Sequence, residues 1–128
     1  MFNFFSKKST YVPSDYFLAS STKDKYFYRL MPFSKLNDGA VVAYDPNAPR
    51  IITFDPWPQQ IFLNATGLVT VHEFLNTMAG LYNGRVPELL DRTIIDETER
   101  MVKCNYIAFS DEQVMLDDKF MFPIKPAK

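Results

Sequence analysis

Cysteine and histidine are almost missing: Cys104 and His72 are the only ones among 128 residues. A lone cysteine cannot form an intramolecular disulfide, so a reducing compartment, and hence the cytoplasm, is the simplest expectation. With one histidine and one cysteine there is no cluster at metal-ligand spacing, and neither a metal nor another cofactor is expected. The chain also lacks a glycine-rich phosphate loop, a G-x-S-x-G elbow and a zinc signature. No apolar run approaches the ~20 residues that a membrane-spanning helix needs. The opening Met-Phe-Asn-Phe-Phe-Ser-Lys-Lys places its lysines after its aromatics, with no apolar segment behind them, unlike a secretory signal. Charge of one sign is absent as well: the formal net charge of −1 argues against a general nucleic-acid or membrane-surface binder.

What is present is apolar. Hydrophobic residues make up 47 % of the chain, enough for a core without disulfides or metal. The length suits a single domain over residues 1–128, with loose tails expected at 1–12 and 123–128. The most legible stretch is Thr70 to Phe109. Thr70 and Glu73 form a capping-box pattern. Val71, Phe74, Leu75, Met78, Leu81 and Tyr82 then recur at helical spacing. Asn83-Gly84 supplies a left-handed stop. Pro87 suits the start of a second helix, with Leu89, Leu90, Ile94, Ile95, Met101 and Val102 on its apolar stripe and Asn105 at its end. Tyr106–Phe109 and Val114–Leu116 read as a closing β-hairpin, a wing.

The first half reads as strands. Residues 15–20 and 25–30 flank a polar turn at 21–24, giving one aromatic hairpin. Ala40–Tyr44 and Ile51–Phe54 flank a turn with Asp45, Pro46 and Asn47, giving a second. Pro32 and the polar Ser34–Gly39 segment separate the two. Asp55-Pro56-Trp57-Pro58 reads as a rigid turn and Gln60–Leu63 as one more strand. Strands before helices predict an α+β fold, with a helix-turn-helix and wing that make the second half winged-helix-like.

No residue carries an evident reaction. His72 lies beside the apolar stripe in the first turn of a helix and reads as structural or solvent-facing. Cys104 falls near a helix C-terminus, where the dipole disfavours a thiolate, and reads as a small buried residue. Adjacent carboxylates at Asp96/Glu97 and Asp117/Asp118 do not face one another on a helix and fit no calcium loop. Trp57, between two prolines, suits an exposed contact or a turn packed on the sheet. A non-catalytic protein is therefore expected.

The passage Ile61-Phe-Leu-Asn-Ala-Thr-Gly, then Thr70-Val-His-Glu-Phe-Leu, closing at Asn105-Tyr-Ile, resembles the PqqD-like family. Those are small winged-helix domains that bind the leader or precursor peptide of a ribosomally made natural product. Leu63, Asn64, Thr66, Thr70, Val71, Glu73 and Ile107 match the family pattern, over about residues 40–108. The chain departs from it at one point. The family has a further helix, which helps wall the peptide groove, where this chain has only Leu68 and Val69.

The expected function is a protein- or peptide-binding module. An exposed strand edge would accept an extended peptide, with Ile51, Thr53, Phe54, Ile61, Leu63 and Phe74 as the candidate contacts. A winged-helix DNA binder is the alternative, opposed by the acidic Glu88, Asp91, Asp96, Glu97 and Glu99 on its second helix. The aromatic arm at Phe2, Phe4 and Phe5 motivates a third reading, an accessory subunit of an assembly. Nothing in the residues fixes an oligomeric state.

Overall fold

The computed structural model describes residues 11–48 and 50–125. Local sequence signals are clearest in the helices. Ser14 takes an extended conformation and its hydroxyl accepts from the Phe17 amide at 3.3 Å, which caps a single helical turn, α1 (Asp15–Leu18). This corrects the strand expected over 15–20: the Ser cap and the acidic first turn outweigh the aromatic content, and only Phe17 is buried. The expected first hairpin therefore does not form.

Its second arm does form a strand, β1 (Tyr26–Arg29), followed by β2 (Phe33–Lys35), β3 (Val41–Tyr44) and β4 (Ile51–Thr53). β2 lies where a polar break was expected; one buried residue, Phe33, suffices to seat it against β3. The β3–β4 hairpin matches the expectation. Its turn is fixed by Asp45, whose carboxylate accepts from the Asn47 amide and the Arg50 guanidinium, both at 2.9 Å. Those bonds, the amide first, hold the Asp45 carboxyl below its usual range.

The expected Asp55–Pro58 turn and 60–63 strand are instead one helix, α2 (Pro56–Asn64). Its prolines stand in the first turn, where an amide has no intrahelical partner. The first such bond runs from the Gln59 amide to the Asp55 carbonyl at 2.9 Å. Pro58, Ile61 and Phe62 are buried, a helical and not an alternating pattern.

β5 (Thr66–Thr70) leads directly into α3 (Val71–Gly80), where both bonds of the Thr70/Glu73 capping box are present. Asn83 and Gly84 take positive φ, 52° and 85°, as a left-handed stop requires. α4 (Leu90–Lys103) starts three residues after Pro87, and Leu89 is 62 % exposed, outside the stripe on which it was expected. The chain ends with β6 (Ile107–Ser110) and a single-turn α5 (Asp118–Met121).

Among the described residues these elements make two three-stranded antiparallel sheets, ordered β5-β1-β6 and β2-β3-β4, and five helices. Helices and strands interleave along the chain, so the expected strand-then-helix segregation does not hold. The wing is also absent. β6 pairs with β1, and residues 114–116 form no strand. After Ser110 the chain crosses to β5, where the Val114 amide donates to the Gly67 carbonyl at 2.9 Å.

The buried residues form one cluster. It joins Phe27 and Ile107 of one sheet, Phe33, Val41, Ala43 and Ile52 of the other, and the inner faces of the four longer or preceding helices. α4 packs against α1, α2, α3 and β6. The Arg29 side chain stands between the sheets, 2 % exposed. Its guanidinium donates to the carbonyls of Phe62 and Leu63 (2.9 Å each), Phe120 (2.7 Å) and Met121 (3.0 Å). It also lies 4.8 Å from the centre of the Phe33 ring. The expected tails fall mostly outside the described residues. Within them, the Ile124 amide donates to the Phe33 carbonyl at 2.7 Å.

Two predictions follow from this packing. Gly67 has φ +84°, and a Cβ there would lie 2.4 Å from the Val114 carbonyl oxygen. Gly67→Ala is expected to lower stability by about 2 kcal/mol or more, read from the urea midpoint. Arg29→Leu strands main-chain acceptors that no substitution can remove with it, and is expected to cost about 3 kcal/mol or more in the same assay. An Arg29→Leu midpoint equal to that of the parent chain would contradict the role given to the guanidinium.

Candidate functional site

The outer strand β4 owes its geometry to alternation. Hydrogen-bonded pairs in an antiparallel ladder alternate with non-bonded pairs. The Asp45 amide donates to the Arg50 carbonyl at 3.2 Å, so the Ala43–Ile52 pair is bonded in turn. The Tyr44 amide faces the other way, donating to the Pro32 carbonyl at 2.9 Å. Ile51 and Thr53 therefore turn their main-chain N–H and C=O away from the sheet. Among the described residues none hydrogen-bonds them. Ile51 is 64 % exposed and Thr53 is exposed, while Ile52 anchors the strand in the core.

The other edges each meet another part of the chain at one or two positions. β2 receives the Ile124 amide, and β5 receives the Val114 amide and the Gln113 side chain, the latter at the Leu68 carbonyl. On β6, Ile107 is fully buried. β4 is thus the edge with both outward residues in solvent.

Phe54 ends the strand and separates two clefts. Its ring stacks on Phe62 at 4.9 Å and meets the Tyr106 ring edge-on at 5.8 Å. On the side of α4 lies a polar cleft of about 430 Å³, whose lining includes Thr53, Phe54, Tyr106 and the charged Asp55, Glu97 and Arg100. Glu97 holds the Arg100 guanidinium at 2.9 and 3.1 Å and pushes its pKa up, so Arg100 is a fixed positive charge there. On the other side lies an apolar cleft of about 590 Å³ between the β2–β3 turn, α2 and the end of α3. Phe54, Trp57, Met78, Leu81 and Tyr82 line it.

Three of the six expected contacts, Ile51, Thr53 and Phe54, come together on this edge. The other three do not join them. Ile61 is fully buried and Phe74 is 2 % exposed, so both are core residues; Leu63 is half-buried in the last turn of α2. Alternation had placed Ile61 and Leu63 on a strand, and the helical turn of α2 removes that edge. Sequence reasoning missed Arg100, Tyr106 and Leu81. Leu81 was assigned to the core stripe, but α3 stops at Gly80 and leaves it 69 % exposed. Trp57 is half-buried, packed on the core and facing the apolar cleft at once.

The titratable groups elsewhere are engaged in structure. His72 meets Phe17 edge-on, with ring centroids 5.2 Å apart. Cys104 is half-buried, with Arg100 Nη1 3.9 Å from its sulfur. Asp96 accepts from the Tyr16 hydroxyl. Asp117 and Asp118 flank the start of α5. Asp91, 1 % exposed, lies in the first turn of α4, where the helix dipole favours its charge. It accepts from the Ser14 amide (2.6 Å), the Ser14 hydroxyl (2.9 Å) and the Tyr11 hydroxyl (2.9 Å). Among the described residues no group of three or more His, Cys, Asp or Glu side chains is placed to hold a metal ion, and no helix is long and apolar enough to cross a membrane. No protein-family model, curated protein or solved structure matches the chain.

Burial, then the bond to Asp91 and its negative charge, raises the Tyr11 pKa above its ordinary value of 10.0. A raised pKa means that the folded chain keeps a proton that the unfolded chain gives up. The resulting stability is complete below pH 10.0 and declines as the pH climbs beyond it. The melting temperature is expected to fall above about pH 10, and to fall less steeply in Tyr11→Phe. Superimposable alkaline melting curves for the two proteins would remove Tyr11 from this account.

Proposed function

We propose that this protein is a non-catalytic binding module that takes an extended segment of a partner protein or peptide as an added strand on β4. The single observation that carries the reading is the outward-facing main chain of Ile51 and Thr53 on an edge strand where both residues are exposed to solvent. A strand laid along β4 would pair its backbone with those groups, and its alternate side chains would point toward opposite faces of the sheet. Phe54, at the end of the edge, gives an aromatic contact, and Arg100 gives a charged one. Precursor-peptide binding, which the PqqD-like resemblance implies, belongs to the same class of function and narrows the partner to a peptide substrate of another protein.

Thr53→Pro deletes one outward N–H and leaves the Ala43–Ile52 pair untouched. Peptides selected on the parent chain from a displayed library of extended octapeptides are the probe. With such a peptide, amide shifts are expected at Ile51 and Thr53. Thr53→Pro is expected to weaken binding about tenfold, the loss of a hydrogen bond at a desolvated edge, with a melting temperature close to the parent's. Selected peptides whose shifts fall away from residues 50–54, or that bind Thr53→Pro as tightly, would sink the strand-addition reading.

A further inference from the structure

The outer edge of β4 is complementary to itself. In an antiparallel ladder, a residue that turns its N–H and C=O toward the next strand needs an opposite residue that does the same. On β4 those residues are Ile51 and Thr53, while Ile52 turns its main chain inward to Ala43. We propose that β4 pairs antiparallel with β4 of a second copy of this chain, about a two-fold axis at Ile52, and that a partner peptide displaces that copy. The inference rests on the same free edge as the strand-addition reading, and it names what covers the edge when no peptide is present.

Register selects this pairing. With the axis at Ile52, Ile51 of each copy faces Thr53 of the other, and every outward N–H and C=O of both residues finds a partner. An axis at Ile51 would set Thr53 against Pro49, which has no N–H to give. An axis at Thr53 would set Ile51 against Asp55, whose carbonyl already accepts from the Gln59 amide. Charge agrees with the same register. Arg50 donates to Asp45 through Nε, and among the described residues its two terminal nitrogens have no partner. Asp55 is exposed and makes neither a capping bond nor an ion pair among the described residues. Antiparallel pairing brings Arg50 of each copy to the Phe54–Asp55 end of the other, so opposite charges meet at both ends. A parallel pair would set like ends together. A strand of three residues a side buries less than the ~1,200 Å² of a stable interface, so the pair is weak and a longer peptide strand can displace it.

Sedimentation equilibrium of the full chain is expected to give the mass of one chain at about 10 µM and a mass rising toward twice that at about 1 mM. The register is read by cross-linking in a Cys104→Ser background, which removes the only native cysteine. Chains carrying Ile51→Cys and chains carrying Thr53→Cys, both at exposed positions, are mixed and oxidised. Facing residues of a bonded pair lie ~5.5 Å apart at Cα, within disulfide reach. The disulfide joining position 51 of one copy to position 53 of the other is expected to exceed both symmetric products about tenfold. An excess of the octapeptide selected on the parent chain is expected to return the mass to that of one chain with its peptide. The mass of one chain at every concentration overturns the proposal, and so do symmetric disulfides in excess of the mixed one. A pair that persists beside a peptide whose shifts lie at Ile51 and Thr53 overturns it too, since one edge cannot hold both. The cross-links are read with no peptide present, so their failure is distinct from failure of the strand-addition reading, which the amide shifts decide.

Discussion

A guanidinium with no ion-pair partner among the described residues holds this fold together. Arg29 leaves β1 and ends between the two sheets, where four main-chain carbonyls receive it. Two belong to the last turn of α2 and two to the end of α5. Helix C-termini present unpaired carbonyls and the negative end of the dipole, so each supplies part of the counter-charge that an acidic side chain would otherwise provide. The faces of Phe33 and Phe62 supply more. Burial pulls the Arg29 pKa down to about 10, and it remains a cation at neutral pH. Lysine could not replace it, since one ammonium lacks the planar fork that reaches two helix ends at once. The arrangement also explains a short helix far from the core: α5 buries no side chain, but its carbonyls complete the shell around Arg29.

Asp91 does for the helical layer what Arg29 does between the sheets. It is a buried charge satisfied by a helix N-terminus and by donors from a remote part of the chain. The Ser14 hydroxyl that donates to Asp91 also accepts from the Phe17 amide, so one serine caps α1 and moors it to α4. Phe17 is thereby delivered to the core and Tyr11 to a surface groove. The two buried charges fix opposite ends of the described chain, and neither is spare for chemistry. No buried side-chain nitrogen or oxygen among the described residues lacks a partner.

What could be read from the residues was local. The Thr70/Glu73 capping box, the Asn83-Gly84 stop and the Ala40–Phe54 hairpin depend on neighbours within a few positions, and each appears in the structure. The errors share a physical cause. Aromatic residues at 15–20 suggested a strand, but a serine cap supports a helical turn there. Prolines at 56 and 58 suggested a turn, although the first turn of a helix tolerates them. β5 and the failed wing turned on a partner remote in sequence: β1 takes both β5 and β6, and Gly67 takes Val114. No single stretch encodes that choice. The candidate site was half legible for the same reason. Ile51, Thr53 and Phe54 follow from a local hairpin, whereas Arg100 and Tyr106 reach the edge only through the packing of α4.

The proposed binding role follows from what the fold leaves undone. Exposed strand edges invite unwanted pairing, and proteins usually blunt them with charge, proline or a covering segment. In this chain Ile124 bonds to β2 at Phe33, Val114 and Gln113 bond to β5, and Ile107 at the start of β6 is buried. It treats β4 differently. An exposed isoleucine stands on the edge, and Asp45 with Arg50 rigidifies the turn that presents it. A rigid turn keeps the strand extended and lowers the ordering cost of pairing with another. An exposed strand edge with an apolar residue on it carries a risk of aggregation that a partner strand would remove. The proposed strand addition on β4 rests on the exposed Ile51 and Thr53, and it requires no reactive group.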